Sequence, residues 1–295
     1  MNRRTFLLAL LATGCTSGGP GGELRIAGGE KGGMYYDFAT LLATQLQPDL
    51  HGHVVETQGS LANLDLLRSG DVQVALTLAD AARVADPALE LRALGRVYEN
   101  YLQLVVRADD PARRVADLAG RTVSLGAAGS GASLSGERML VTAGLDNSVR
   151  VAHLRLAEAA QALVDKRIDA LLWSGGVPTP VLAQLAGIRL LPLAELLDGL
   201  RTAHGSVYEQ VPVPVGVYGA AREVPTIGVA NLLVCRASLP DEVAAAVTRT
   251  LVNEAAALVP EQALGTQFLD VRSLIGTAGL PLHPGAAVAY RDLHG

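Results

Sequence analysis

Three short segments place glycine and hydroxyl residues directly ahead of an apolar helical pattern. They are Gly32-Gly33-Met34-Tyr35-Tyr36, Gln58-Gly59-Ser60 and Gly129-Ser130-Gly131-Ala132-Ser133. The first turn of a helix presents N–H groups with no intrahelical partner and carries the positive end of the helix dipole. Glycine lets a small molecule approach that backbone, and Ser60, Ser130 and Ser133 add hydroxyl donors. A carboxylate or similar anion is the natural occupant of such a place. One Gly-Ser turn alone is no more than a helix cap. Three glycine-rich helix starts in one chain point to a site.

Covalent and metal chemistry find less support. Ser130 stands beside glycines, but no stretch fits Gly-x-Ser-x-Gly, so a hydrolase nucleophile elbow is the weaker expectation. The run Gly126 to Gly131 matches neither the dinucleotide fingerprint nor the phosphate loop. His51, His53, His153, His204, His283 and His294 are scattered, and no cysteine or carboxylate cluster accompanies the His51-Gly52-His53 pair. No catalytic residue, metal ligand or cofactor is therefore expected.

The elements that must hold these turns alternate along the chain. Leu24 to Ala27 reads as a strand ending at Gly28-Gly29, and Tyr35, Phe38, Leu41, Leu42 and Leu46 share one helix face. A strand over 54–57 leads into a helix carrying Leu61, Leu64, Leu67 and Arg68, stopped by Gly70. A strand over 72–78 follows, with Asp80 expected to cap the next helix, or otherwise to receive an ammonium group. From Tyr101 the pattern restarts: strands over 101–107, 122–125, 149–153, 168–173 and 188–191 alternate with helices over 115–121, 132–142, 156–165 and 179–186. The Pro- and Gly-rich segment 211–219 and a strand over 227–235 form the return path, and Asp241 is expected to cap a helix reaching Leu258. Strand–helix–strand units of this spacing imply parallel sheets covered on both faces. Two such units, with one long strand leading into the second and another leading out, imply two lobes. Ligands bind such sheets at the carboxyl ends of the strands, here in the cleft between lobes.

The N-terminus reads differently. Arg3-Arg4 precedes the apolar run Phe6 to Ala12 and then Gly14-Cys15, the order of an export signal. The apolar run is too short to span a bilayer. Arg3-Arg4-Thr5-Phe6-Leu7 resembles a twin-arginine signal, and Ala12-Thr13-Gly14-Cys15 resembles a lipobox that would leave Cys15 lipidated. Residues 1–15 are thus an expected export signal and 16–22 a flexible tether. Apolar residues make up 49% of the 295 residues and charged residues 18%, which favours a core-rich folded protein over a disordered one. A net charge of −5 without basic clusters argues against nucleic-acid binding. With Cys15 lipidated, Cys235 would be left unpaired in an apolar run, a buried structural thiol.

From Leu24 to Tyr290 the chain resembles the TAXI family of solute receptors, which serve TRAP-type transporters. The resemblance rests on Gly32-Gly33-Met34-Tyr35-Tyr36, Gln58-Gly59-Ser60-Leu61-Ala62-Asn63-Leu64 and Leu78-Ala79-Asp80-Ala81-Ala82. It continues through Asp117 to Gly126 with Gly129-Ser130-Gly131, Ile168-Asp169-Ala170 with Trp173 to Pro178, and Leu280 to Ala286. Leu78 departs from the family, which usually has a polar residue there.

The resemblance implies an α/β, two-lobed fold of the periplasmic binding protein type II kind, each lobe a mixed, mainly parallel sheet flanked by helices. Lobe 1 is expected over 23–102 and 237–295, and lobe 2 over 103–236 including the hinge-crossing strands. It implies an extracytoplasmic solute-binding protein, a monomer that captures a glutamate-like amino acid or dicarboxylate and hands it to a TRAP-type membrane permease. The ligand-binding lobe of a sensor or an ABC-type uptake system is the alternative. The protein would sit in the periplasm or at the cell surface, held by a lipid on Cys15. Gly33, Tyr35, Tyr36, Gly59, Ser60, Asn63, Ser130, Gly131, Ala132, Ser133, Trp173 and Gly175 are its expected ligand-binding residues. Tyr36, Ser60, Asn63, Ser130 and Gly131 lead that set. Either tyrosine could supply the aromatic wall, and Trp173 either lines the cleft or fills the second lobe's core. His283 is expected to brace the C-terminal tail, and Lys31 to be solvated or to stand at the cleft mouth.

Overall fold

The computed structural model describes residues 22–260 and 269–294. The export signal, the lipobox with Cys15 and nearly all of the tether lie outside them. The first lobe begins with β1 (Glu23–Ala27), α1 (Met34–Gln45), β2 (His51–Val55), α2 (Ser60–Ser69), β3 (Val74–Leu78) and the single turn α3 (Ala79–Ala82). The chain then enters β4 (Leu91–Arg107), whose 17 residues run from one lobe into the other. The second lobe follows with β5 (Thr122–Ser124), α4 (Gly131–Thr142), β6 (Arg150–Ala152), α5 (Leu156–Val164), β7 (Ala170–Gly175), α6 (Pro180–Ala183) and β8 (Ile188–Leu191). Helix α7 (Leu197–His204) and β9 (Tyr208–Val213) lead to β10 (Val224–Arg236), which crosses back. Helices α8 (Asp241–Asn253), α9 (Val271–Leu274) and α10 (Pro284–His294) finish the first lobe.

Sheet order explains the two lobes. The strands run β2-β1-β3-β10-β4-β7-β5-β6, with β8 beside β4 and β9 beside β10. At one end β1 pairs in parallel with β2 and β3; at the other, β5 pairs in parallel with β6 and β7. Between them β4 and β10 lie antiparallel to each other and to the strands they touch. Two parallel α/β halves are thus joined by a pair of crossing strands, and the segments at the carboxyl ends of β1, β2, β3, β5 and β7 reach the space between the halves.

Apolar patterning locks each half. Leu24, Ile26, Phe38, Leu42, Leu76 and Leu251 are wholly buried in the first lobe, each side chain contributing about 1.5–3 kcal/mol relative to exposure. Val105, Leu163, Leu171 and Leu182 do the same in the second. A third apolar cluster runs through the crossing strands, where Leu102, Leu104, Leu232 and Val234 join α2 and α3 to α4 and α7. The C-terminal tail is stitched to β4: His283 N donates to Ala93 O at 2.9 Å, and Ala93 N donates to Pro281 O at 2.9 Å. His283 is buried there and acts as the expected brace. Cys235 is buried too, and desolvation pushes its thiol up to about 12.

Two expected caps are corrected. Asp80 is the second residue of α3, whose cap position is Leu78, and its carboxylate turns away to bind across the lobes. Asp241 is the first helical residue of α8, behind Pro240, and makes no cap bond. Both helices begin one or two residues earlier than those aspartates imply. The helix expected to reach Leu258 ends at Asn253, with a separate 3-10 turn over Ala255–Leu258.

Candidate functional site

A cleft of about 430 Å³, open solvent at its mouth included, lies where the two lobes face each other. The first lobe contributes Gly33, Met34 and Tyr35 from the start of α1, Gln58, Gly59 and Ser60 from the start of α2, and Leu78 from the end of β3. The second contributes Ser130, Gly131 and Ala132 from the start of α4, and Trp173 and Ser174 from the end of β7. Asn100 on β4 floors it, and Gly29 and Glu30 edge it.

On the α2 side most groups are paired, and Ser60 N alone among the first three helical amides lacks a partner among the described residues. Gly59 adopts φ 119° and ψ −150°, a region open essentially to glycine alone. That conformation turns the chain so that Ser60 is buried, its Oγ accepting from Leu78 N at 3.0 Å and sharing a hydrogen bond with the Tyr35 hydroxyl at 3.2 Å. The Leu61 and Ala62 amides both donate to Gly129 O in the opposite lobe, at 3.0 and 3.1 Å. Asn63 is spent as a strut: its amide donates to Gly28 O at 2.6 Å and Leu76 O at 2.7 Å, and its Oδ1 accepts from Thr57.

The α4 side is different. Ser130 caps the helix, its Oγ accepting from Ser133 N at 3.0 Å. Gly131 and Ala132 line the cleft, and their amides have no hydrogen-bond partner among the described residues. Gly131 is required by close approach: a Cβ there would lie 2.5 Å from Leu78 Cδ1 and 2.6 Å from Ser60 Oγ.

The structure separates the remaining expected residues. Tyr35, not Tyr36, faces the cleft; burial raises its hydroxyl pKa, and its ring meets Tyr98 edge-on at 6.2 Å. Tyr36 is half-buried outside the cleft, with Lys31 Nζ 5.9 Å from its ring centroid. Trp173 lines the cleft, its ring against Gly33 of the other lobe. Gly175 lies past the cleft, where its carbonyl accepts from Gln103 Nε2. Ser133 turns away and donates to Glu137 Oε1 at 3.1 Å, leaving His153 Nδ1 at 3.4 Å. Its carboxylate neighbour binds the serine and does not orient the imidazole, so the trio lacks the order of a catalytic triad.

Asn100, Ser174, Glu30 and Gln58 are cleft residues that the sequence reading did not select. Asn100 precedes the expected start of its strand at Tyr101. The signal available was a small amide beside an apolar run, and only the pairing of β4 shows which way it points.

Charge gathers at the rim. Glu30 alone is charged among the described residues lining the cleft. Its pKa is raised by desolvation, opposed by the Leu156 amide and Arg155. Glu30 Oε2 accepts from Leu156 N at 3.2 Å, capping α5 from the opposite lobe. Arg155 Nη2 also bonds Glu56 Oε1 at 2.7 Å, and Lys31 stands 3.4 Å from the same carboxylate. Behind the cleft, buried Asp80 accepts from Ser135 Oγ and Tyr208 OH, each at 2.8 Å, with Arg138 Nη1 at 3.3 Å. Burial raises the Asp80 pKa despite those partners. No group of three or more His, Cys, Asp or Glu side chains among the described residues could hold a metal ion.

The profile of the NMT1-like family matches residues 26–293, and the chain belongs to that family. Among solved structures, a Bordetella bronchiseptica protein is 17% identical over 92% of this chain and 98% of its own, with a TM-score of 0.61. Arginine-bound ArgBP from T. maritima is 12% identical over 79% and 96%, with a TM-score of 0.52. The substrate-binding protein of an amino acid ABC transporter is 13% identical over 80% and 95%, with a TM-score of 0.50. At these identities the likeness establishes the two-lobed binding-protein fold.

Proposed function

From a member of the NMT1-like family folded around this cleft, we propose an exported solute-binding protein that captures a small organic acid or amino acid and hands it to a membrane permease. The observation that carries the reading is the pair of unpartnered amides, Gly131 N and Ala132 N, at the α4 N-terminus inside a cleft bridged by lobe-to-lobe bonds. Helix-start amides aligned with the dipole suit a carboxylate without any basic side chain. Ser130, Ser60 and Tyr35 supply hydroxyls beside them, and Trp173 supplies an apolar wall.

The mechanism proposed is closure about β4 and β10. Solute enters between separated lobes and meets the α4 start. Closing then seats Gly129 O on the Leu61 and Ala62 amides, Glu30 on the α5 start, and Asp80 against Ser135. The contacts across the lobes belong to the closed form, so they create a surface that a permease distinguishes from the open form.

The partner proposed is a TRAP-type permease, on the strength of the TAXI resemblance, with an ABC-type permease or a sensor as the alternative. Location outside the cytoplasm, with a lipid on Cys15, is proposed from the order of Arg3-Arg4, the apolar run and Gly14-Cys15. The lobe boundaries near 102 and 236 are proposed as well.

A thermal-shift screen of glutamate, glutamine, 2-oxoglutarate and succinate tests the reading. A ligand that binds only the folded state stabilises it by about 2.7 kcal/mol at a hundredfold excess over Kd. A saturable shift with one compound, without turnover, supports it. A flat response from a folded, ligand-free sample overturns the acid as ligand.

A further inference from the structure

The crossing strands carry a patch that the binding reading leaves unused. In register, Asn231 of β10 stands opposite Leu78 of β3 and Tyr98 of β4, while Asn100 lies two residues beyond Tyr98 on the same strand. Directly opposed residues, and alternate residues along a strand, share a face of the sheet. Leu78, Asn231, Tyr98 and Asn100 therefore share one face; Leu78 and Asn100 line the cleft, and Asn231 and Tyr98 lie next to them in the sheet, behind that lining. Asn231 is 0% exposed, Asn100 2% and Tyr98 3%. Yet Asn231 Nδ2 and Oδ1, Asn100 Oδ1 and the Tyr98 hydroxyl have no hydrogen-bond partner among the described residues.

Buried polar atoms are almost always paired, because an unpaired one retains its full desolvation penalty. Four on one patch, on strands otherwise rich in Val and Leu, mark groups kept for something that arrives. The surroundings restrict what that is. Glu30 is the charged residue of the lining. Burial raises the hydroxyl pKa of Tyr35 and of Tyr98, with Asp80 adding to the first shift and Asp37 to the second. A second carboxylate placed here would meet Glu30 and no cation among the described residues lining the cleft. An ammonium carries donors only and would leave Asn231 Nδ2 without an acceptor.

We propose that Asn100, Asn231 and Tyr98 form a subsite that takes a primary carboxamide of the bound solute, which offers both donor and acceptor to Asn231. This deepens the proposed function and rests on it for the solute's other end, the acid at Gly131 and Ala132. The subsite makes the protein discriminate between a carboxamide and the carboxylate of the same shape. Sites that hydrogen-bond a substrate N–H reject analogues lacking it far more strongly than apolar pockets reject a missing methylene.

Isothermal titration of the purified protein with glutamine, glutamate and glutaramide separates the two claims. Glutamine is expected to bind at least about tenfold tighter than glutamate, and Tyr98→Phe or Asn231→Leu to bring the pair within about threefold. Glutamine and glutamate binding equally overturns the subsite and leaves the acid site standing. Glutaramide binding while neither acid binds overturns the acid site and leaves the subsite standing. Binding by none of the three overturns both. Melting of the ligand-free variants gives an independent check. Tyr98→Phe and Asn231→Leu are expected to raise the melting temperature by roughly 2–4 °C, since each removes an unpaired group. A fall in both variants shows that these atoms serve the fold and overturns the subsite.

Discussion

Helices α2 and α4 begin alike in sequence and unlike in structure. Both follow a Gly-Ser turn, both present their first turn to the cleft, and both carry a serine at that turn. At α2, however, Ser60 is bound to Leu78 N and Tyr35, and the Leu61 and Ala62 amides are filled by Gly129 O from the other lobe. At α4, Ser130 caps its own helix and leaves the Gly131 and Ala132 amides open. Two of the three leading amides are thus spent on lobe docking at α2, leaving Ser60 N, while at α4 both Gly131 N and Ala132 N stay available. A motif shows that a helix start can bind; the partner lobe decides whether it is already bound.

The largest expected effect comes from forcing the two starts apart. Gly131→Val would set a side chain into Leu78 and Ser60. Overpacking of this kind costs about 1–3 kcal/mol, and more when it blocks closure outright. Solute affinity should fall by about a hundredfold, with melting of the ligand-free protein little changed. Unchanged affinity in titration would break the docking role given to this contact.

The hinge between the two starts offers a pH test. Glu99 on β4 is pushed up to about 7 by burial, with Arg96 opposing the shift. Its folded pKa exceeds the ordinary 4.5, so the native state binds the proton more tightly than the unfolded chain. The stabilisation is complete below about 4.5 and is lost as pH rises through about 7, by at most roughly 3 kcal/mol. Urea melts across that window should show the loss, and Glu99→Gln should flatten it. Neither helix start holds a titrating side chain of its own, so solute affinity should vary less than stability over the same range.

The two serines sharpen the contrast further. Ser60→Ala leaves the buried Leu78 amide unpaired and should cost about 1–3 kcal/mol of stability, read from chemical denaturation. Ser130→Ala removes a cap worth about 1 kcal/mol and should also weaken solute binding, because the open amides lose their anchoring turn. Equal losses of affinity from both variants would erase the distinction between the two starts. At the rim, Arg155→Ala breaks half-exposed pairs with Glu56 and Glu30. Exposed pairs contribute about 0–1 kcal/mol, so a slight stability change and a faster solute off-rate are expected in stopped-flow.

Much of this was legible in residue order. The alternation of apolar strands and amphipathic helices placed α1, α2, α4 and α5 close to where they lie, and the glycine turns ahead of α1, α2 and α4 fall at three edges of the cleft. Individual roles were harder to read. Asn63 follows Ser60 by one helical turn, yet it points into the first lobe because Gly28 O and Leu76 O need donors there. Asp80 has the composition of a cap, but α3 starts before it and leaves its carboxylate for Ser135 and Tyr208. The first half of β4 carries Arg92, Arg96 and Glu99, which break the apolar pattern, so the crossing strand was expected ten residues late and Asn100 was passed over. Burial of those residues comes from strand pairing with β10, a contact between residues more than a hundred apart.

A crystal structure of the protein with saturating glutamine or glutamate tests the central claim most directly. The account predicts carboxylate oxygens about 2.7–3.2 Å from Gly131 N and Ala132 N, with Gly129 O still on the Leu61 and Ala62 amides. An acid seated on the α2 amides with Gly129 O displaced, or bound outside the cleft, would contradict it.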